Sequence, residues 1–316
     1  MKISIITPVF NEEENLNLFY ERIKEIFKKL SHNSNKQIEK EIIFIDDGST
    51  DNSFQRIKEL ATKDNNIKGI SLSKNHGSHI AISVGLSKAT GDAVVIIAAD
   101  LQDPPELIVD FFKRWQSGAQ IVWGKRAKYE SSFLRAIINK IFYTLVKTFA
   151  IKTYPSSGTG SFCLIDKKIV GNLNRHFERN RVTFGLIAYQ GYKQDYVEYD
   201  RIQRQIGTSG WSKSKLIKAG LDLFLSFSYF PVRFMSTIGI LTFAISILGV
   251  IYVTWCWFSA GIKVSGWATI TVLLFTFNGL QFLMLGILGE YIWRVADEVK
   301  GRPLYFIQDV TEPSLN

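Results

Sequence analysis

Cysteine and histidine are scarce in this chain of 316 residues, which holds two of the first and four of the second. Cys163 and Cys256 cannot build a disulfide framework, and no Cys/His spacing suits a structural zinc, which fits a reducing compartment. His76 and His79 have no third histidine or cysteine near them in sequence. The stretch Lys74–His79 therefore reads as a loop opening a helix, with backbone N–H groups facing a phosphate, ahead of a metal pair. No internal repeat or low-complexity segment occurs, and no histidine pairs convincingly with a nucleophile. The formal net charge of +9 comes without any zinc-finger, RRM or helix-turn-helix pattern, so nucleic acid is not an expected partner. After Met1-Lys2, the apolar run Ile3–Ile6 is too short for a signal-peptide core, so the N-terminal region is expected to stay in the cytoplasm.

What the chain does have is two apolar runs near its C-terminus, Met235–Phe258 and Trp267–Ile292. Each is long enough at ~1.5 Å per residue to cross a hydrocarbon layer of ~30 Å. They raise the mean hydropathy to +0.05 although 21% of the residues are charged. Trp255, Trp257 and Trp267 cluster where interfacial tryptophans belong, at the far end of such a hairpin. Asn278 and Gln281 lie inside the second run, where polar groups seldom face lipid; they pair with the first run or with another subunit, which leaves a homo-oligomer open. Arg201, Arg204, Lys213, Lys215 and Lys218 precede the first run without an acid among them. Lys125, Arg126, Lys128, Arg135, Lys140 and Lys147 form a second basic stretch. Basic segments beside a span favour anionic lipid and the cytoplasmic side, so the bilayer is an expected partner.

The first two-thirds alternate strand-length apolar runs with helical patterns. The runs are Ile3–Thr7, Ile42–Ile45, Ile67–Leu72, Ala93–Ile97 and Ile121–Trp123. Between them, Glu13–Leu30, Ser53–Lys63, Ile80–Ala89 and Glu106–Trp115 carry apolar residues at helical spacing. This alternation predicts an α/β fold with a mainly parallel sheet, in which ligands bind at the carboxyl ends of the strands. Phe133–Phe149 is amphipathic, and either packs in the core or lies on a membrane surface. Ser212–Phe230 has similar character and leads to a joint at Pro231. The expected organisation is a cytoplasmic catalytic domain over 1–210, an amphipathic juxtamembrane helix over 211–233, two transmembrane helices over 234–293 and a cytoplasmic tail over 294–316.

Three polar motifs follow predicted strands: Pro8-Val9-Phe10-Asn11-Glu12, Asp46-Asp47-Gly48-Ser49-Thr50-Asp51 and Asp100-Leu101-Gln102-Asp103-Pro104-Pro105-Glu106. Singly, each is a turn or a helix cap. A carboxylate at a strand end also accepts hydrogen bonds from a base or ribose, or holds a hard divalent cation.

In this order and spacing, with the apolar tail and the closing Leu288-Gly289-Glu290-Tyr291 and Glu298-Val299-Lys300-Gly301-Arg302-Pro303, nearly the whole chain resembles the GT-A glycosyltransferases of family 2. Within them it is most similar to the polyisoprenyl-phosphate glycosyltransferases, the dolichol-phosphate mannose synthases and bactoprenol glucosyltransferases. The resemblance implies a GT-A (Rossmann-like) nucleotide-sugar domain. Pro8, Phe10, Glu12, Asp47 and Asp100 would bind the nucleotide. Asp100 and Gln102 would hold Mg²⁺ or Mn²⁺, with Asp103 beside them. Arg126, Arg135 and Asn139 would bind the acceptor phosphate. Arg204, Gly207, Ser209 and Trp211 would cover the site. Asp100, Asp103, Arg126 and Arg135 would carry catalysis.

The implied reaction is inverting transfer of a sugar from a nucleotide donor, UDP-hexose above others, to undecaprenyl or another polyprenyl phosphate on the cytoplasmic face of a bacterial inner membrane, for later use in a cell-envelope polysaccharide. Such an acceptor is already an anion and needs arginine to place it more than it needs a general base. Two other readings stand beside it: transfer to the hydroxyl of a lipid-linked saccharide or polymer, with Asp103 as base, or a non-catalytic membrane scaffold. Three positions depart from the family's common pattern: Ala98 where a first metal aspartate is usual, Ser161 in Gly160-Ser161-Phe162 where an aspartate is frequent, and Gly210 where a lysine is frequent.

Overall fold

The computed structural model describes residues 1–33, 37–127, 133–155, 158–175, 178–179, 181–202, 213–260 and 266–311. Strand–helix alternation runs as predicted through β1 (Lys2–Val9), α1 (Glu13–Asn33), β2 (Glu39–Asp46), α2 (Ser53–Lys63), β3 (Ile67–Leu72), α3 (Ser78–Lys88), β4 (Ala93–Ile96), α4 (Ile108–Gln116) and β5 (Ile121–Arg126). There follow α5 (Phe133–Phe149), β6 (Thr159–Asp166), α6 (Lys167–Arg175), α7 (Thr183–Tyr189), β7 (Gln194–Tyr199), α8 (Lys213–Phe227), α9 (Phe230–Ala260), α10 (Trp267–Val299) and β8 (Ile307–Val310).

The sheet order is β7-β5-β6-β4-β1-β2-β3-β8. β1 pairs in parallel with both β2 and β4, β2 with β3, and β5 with β7. β6 runs antiparallel between β4 and β5, and β8 antiparallel along β3. The central strands are buried on both faces, which is why they read as continuous apolar runs: Ile3, Ile5, Ile6 and Ile42–Ile45 are wholly inaccessible. α1 covers one face with Leu16, Phe19, Ile23, Ile26 and Leu30 at helical spacing, and Phe19 meets Phe44 of β2 edge-on with ring centres 6.0 Å apart. Each such side chain contributes about 1.5–3 kcal/mol by leaving water. Strand order reverses at β1, with β2 on one side and β4 on the other, so the crevice that receives ligands in such sheets opens at the ends of these strands.

The sequence patterns did not reveal β6, β7 or β8. β8 returns after the long helices to cover the edge of β3, where Thr311 Oγ1 accepts from Gly69 N–H at 2.8 Å and Lys58 pairs with Asp309 at 2.6 Å. Residues Met1–Leu223 and Pro303–Asn316 form one compact unit, Phe224–Arg302 a second.

In the second unit α9 and α10 pack antiparallel. Tyr291 donates to the Ser228 carbonyl at 2.9 Å, and Met284 lies against Gly239 further along. Among the described residues one segment, Phe230–Gly249, is long and apolar enough to cross a membrane, and none of it is buried. Asn278 and Gln281 are exposed on α10. On α5, Val146 is buried while Ile137, Ile138, Ile141, Leu145 and Phe149 are exposed, so its apolar stripe is not spent on the core.

Candidate active site

The ends of β1 and β2 are tied together by side chains that the first two motifs supply. Asn11 takes a left-handed conformation (φ 55°), which asparagine tolerates better than most residues. Its N–H donates to Ser49 Oγ at 3.0 Å and its Oδ1 accepts from Thr50 N–H at 2.8 Å. Glu12 N–H donates to Ser53 Oγ and Glu13 N–H to Asp51. Glu12 itself accepts from the Asn15 amide at 2.6 Å. Pro8 is half-buried, and the Phe10 ring is 45% exposed at the crevice end of β1, a free face for a planar base.

The adjacent aspartates divide their work. Asp46 accepts from Ser49 N–H and Ser71 Oγ, which closes the turn. Asp47, also buried, accepts from the backbone N–H groups of His76 and Gly77 at 2.7 and 2.8 Å. Burial pushes the Asp47 carboxyl above the usual range, although those amides oppose it. Asp47 thus fixes the entry to α3. Gly48 is required where these loops meet: its φ is 70°, and a Cβ there would stand 2.5 Å from the Lys74 carbonyl carbon. The imidazole of His79 packs edge-on against Phe184, and burial lowers its pKa.

The third motif leaves β4 through another left-handed residue, Leu101 (φ 56°). An apolar side chain in that region holds local strain of about 1–3 kcal/mol, the kind that accumulates at functional loops. The half-buried Asp100 accepts from Gln102 N–H at 3.2 Å. Asp103 is 2% exposed. Its Oδ1 accepts from Tyr199 Oη at 2.5 Å and stands 3.7 Å from Arg201 Nε and 4.0 Å from Arg126 Nη2. Burial, and then the Asp103 charge, raise the Tyr199 pKa, so the phenol stays protonated and donates. Arg201 also donates to Gln102 Oε1, and Ile202 N–H donates to the Gln102 carbonyl at 3.1 Å. Arg22 grips Glu106 with two hydrogen bonds, tying α1 to the same loop.

The predicted residues thus fall into two bonded groups on neighbouring strand ends. Glu12 and Asp47 belong to the first, with Pro8 and Phe10 on the same strand end. Gln102, Asp103 and Arg126 are in the second, joined by the bond from Gln102 to Asp100. Asn139 is half-buried on α5, in neither group. The side chain of Arg135, and Arg204, Gly207, Ser209 and Trp211, lie outside the described residues, as does Gly210. Ser161 is exposed on β6, and Ala98 half-buried beyond β4. Cys163 is buried in β6 and its thiol is pushed well up by burial, which suits a packing role. Arg201 and Tyr199 were missed as site residues. Arg201 was read only as part of a basic run, and nothing in sequence announces that β7 ends beside the loop after β4.

A divalent ion was expected here. Among the described residues no group of three His, Cys, Asp or Glu side chains could hold one. Mg²⁺ nevertheless needs only one or two carboxylates when substrate phosphates and water complete its shell. The partly accessible Asp100 suits that role. Gln102 Oε1 already accepts from Arg201, which leaves it one lone pair for an ion.

Residues 4–173 match the family described as glycosyl transferase family 2. The glycosyltransferase YkcC of Bacillus subtilis is 35% identical over 309 residues, covering 98% of this chain and 94% of that protein. The SfII prophage-derived bactoprenol glucosyl transferase of Shigella flexneri is 36% identical over 312 residues, covering 98% of both. A crystal structure of glucosyl-3-phosphoglycerate synthase from Mycobacterium tuberculosis, with Mn²⁺, UDP and phosphoglyceric acid, aligns with 70% of this chain and 75% of that one at a TM-score of 0.45 and 17% identity, too distant to add to the assignment.

Proposed function

We propose that this chain, which belongs to glycosyl transferase family 2 and is a glycosyltransferase, moves a hexose from a UDP-linked donor to a polyprenyl phosphate at the cytoplasmic face of a membrane. The observation that carries this reading is the second bonded group. Arginines from neighbouring strands stand beside the acidic loop after β4, so cationic side chains adjoin the place where a nucleotide diphosphate would lie. Full-length relatives named bactoprenol glucosyl transferases support the same acceptor class.

The chemistry follows from the groups present. Phe10 offers a stacking face to the base, and the bonded loops after β1 and β2 form a stiff floor under the nucleoside. A phosphate oxygen of the acceptor attacks the anomeric carbon on the face opposite the diphosphate. The bond to the diphosphate breaks, and the nucleotide leaves with the electron pair. An acceptor phosphate at neutral pH carries its own nucleophilic oxygen, so these residues need only place it and steady charge. A divalent ion held by Asp100 would neutralise the diphosphate as it departs. Arg126 would orient the acceptor, assisted by Arg135 and Asn139.

For the membrane, Phe230–Gly249 supplies an apolar stretch of which none is buried. With α10 it would form a two-helix transmembrane hairpin, and the exposed stripe of α5, flanked by Lys140 and Lys147, would lie in the interface. The domain limits expected from the sequence belong to this proposal, except that β8, within 294–316, is a strand of the catalytic sheet beside β3. The test is to incubate the detergent-solubilised protein with UDP-sugars, undecaprenyl phosphate and Mg²⁺ and look for lipid-linked sugar by mass spectrometry. A lipid-linked hexose from one donor is expected; no product from any common sugar nucleotide would refute the proposal.

A further inference from the structure

We infer that Asp103 is a positioning residue, which holds Arg126 and Arg201 together as a two-guanidinium clamp for a phosphate monoester, with Arg201 as an acceptor-binding residue in its own right. This rests on the reading that the acceptor is a phosphate. Three groups from two strand ends far apart in sequence converge on one carboxylate oxygen: Tyr199 at 2.5 Å, Arg201 at 3.7 Å and Arg126 at 4.0 Å. The convergence is built into the fold. Arg126 and Tyr199 are partners in the parallel pairing of β5 with β7, and Ala127 N–H donates to the Tyr199 carbonyl at 2.8 Å. The chain beyond β7 is then stitched to the loop after β4 through Ile202 and Gln102.

Burial gives the clamp its sign. The Asp103 side chain is 2% exposed, Arg126 18% and Arg201 37%. The anion is sealed inside while both cations keep more surface, so an approaching ligand meets guanidinium before the Asp103 carboxylate. The Nε and Nη2 atoms of Arg201 form one edge of its fork, and that edge faces Asp103 and Gln102. The opposite edge, Nη1 with the second Nη2 hydrogen, is the one that meets a phosphate end-on. A guanidinium braced from behind loses less rotamer freedom when the ligand binds. Asp103 has almost no surface of its own from which to take a proton from an acceptor. It acts through the arginines.

The test compares wild type, Asp103→Asn, Arg201→Ala, Arg201→Lys and the double variant Asp103→Asn/Arg201→Ala in full-length detergent-solubilised protein. Steady-state kinetics vary donor and undecaprenyl phosphate separately, and calorimetry follows farnesyl phosphate binding without metal or donor. Arg201→Ala is expected to raise the KM for lipid phosphate about tenfold or more, the scale of a charged hydrogen bond, and to weaken farnesyl phosphate binding alike. The KM for donor stays within about twofold in the same comparison. Arg201→Lys restores less than half of the loss, because an ammonium offers no fork. Asp103→Asn raises the acceptor KM too, and its effect shrinks in the Arg201→Ala background, as shared action requires.

An unchanged acceptor KM in Arg201→Ala, or effects that simply add in the double variant, would overturn the clamp while leaving the transferase reading intact. Equal loss of donor and acceptor affinity in Asp103→Asn with a lowered melting temperature would show a merely structural aspartate. Arg201, exposed at the surface, keeps the question answerable if Asp103→Asn folds poorly. Wild-type protein that makes no lipid-linked sugar sinks the function and the clamp together.

Discussion

Glu41 is a buried charge of the sheet that accepts five hydrogen bonds, and its removal should destabilise the fold without touching the reaction. It lies on β2, 2% exposed. One oxygen accepts from Lys2 Nζ at 3.2 Å, Lys68 Nζ at 2.9 Å and Thr90 Oγ1 at 2.9 Å; the other accepts from Ser4 Oγ at 2.5 Å and Thr90 N–H at 2.9 Å. Burial alone would push this carboxyl up, but the hydrogen bonds from Lys68, Ser4 and Thr90 outweigh it and hold the pKa at about 2. Against an ordinary glutamate near ~4.5, that preference for the charged form is worth roughly 3 kcal/mol. Because the folded value is depressed, this stability is fully present above about pH 4.5 and disappears as pH falls toward about 2.

Glu41→Gln removes the charge and turns an amide N–H₂ toward donors. At pH 7 the amides of β1 and β2 should then exchange hydrogen roughly 100-fold faster, at about 1.4 kcal/mol per tenfold, measured by mass spectrometry on the full-length protein. Glu41's share of the acid-dependent loss between pH 4.5 and 2 should be absent from the variant, while that of Asp64, also held at about 2, remains. Donor KM should hold within about twofold, since the strand ends at the site lie roughly 17 Å away along β2. Exchange within about threefold of wild type would refute the bonding argument.

Gly48→Ala should lower UDP affinity by about tenfold or more, because a Cβ would strike the Lys74 backbone at a left-handed φ; calorimetry reads this directly. Asp100→Ala should abolish metal-promoted UDP binding, checked by titrating with Mn²⁺ and UDP; undiminished metal dependence would show that the ion is held elsewhere. Ile138→Glu with Ile141→Glu should weaken binding to anionic vesicles and raise the KM for long-chain polyprenyl phosphate more than for farnesyl phosphate, since both side chains are exposed on α5.

Period and punctuation alone made much of the fold legible. Runs such as Ile42–Ile45 and the helical spacing from Leu16 to Leu30 reflect burial that each element undergoes locally, so they leave a mark in the one-dimensional pattern. The polar motifs were legible for the same reason, since each lies within one loop at a strand end. β6 and β8 were not, because they owe their place to antiparallel partners distant in sequence: Cys163 opposite Ile96 and Trp123, Val310 opposite Ile70. The role of α5 likewise depended on which of its faces met the core.

The sequence by itself determined the α/β class, the family and the acidic strand-end motifs, since residue order and type suffice for these. Only the tertiary structure decided that Asp47 is committed to the His76–Gly77 amides and that Asp103 is sealed beneath Tyr199, Arg126 and Arg201. Burial and charge neighbourhood are properties of chain segments brought together from far apart. Arg201 and Asp103 are 98 residues apart in order and 3.7 Å apart in space, and no local pattern encodes that meeting.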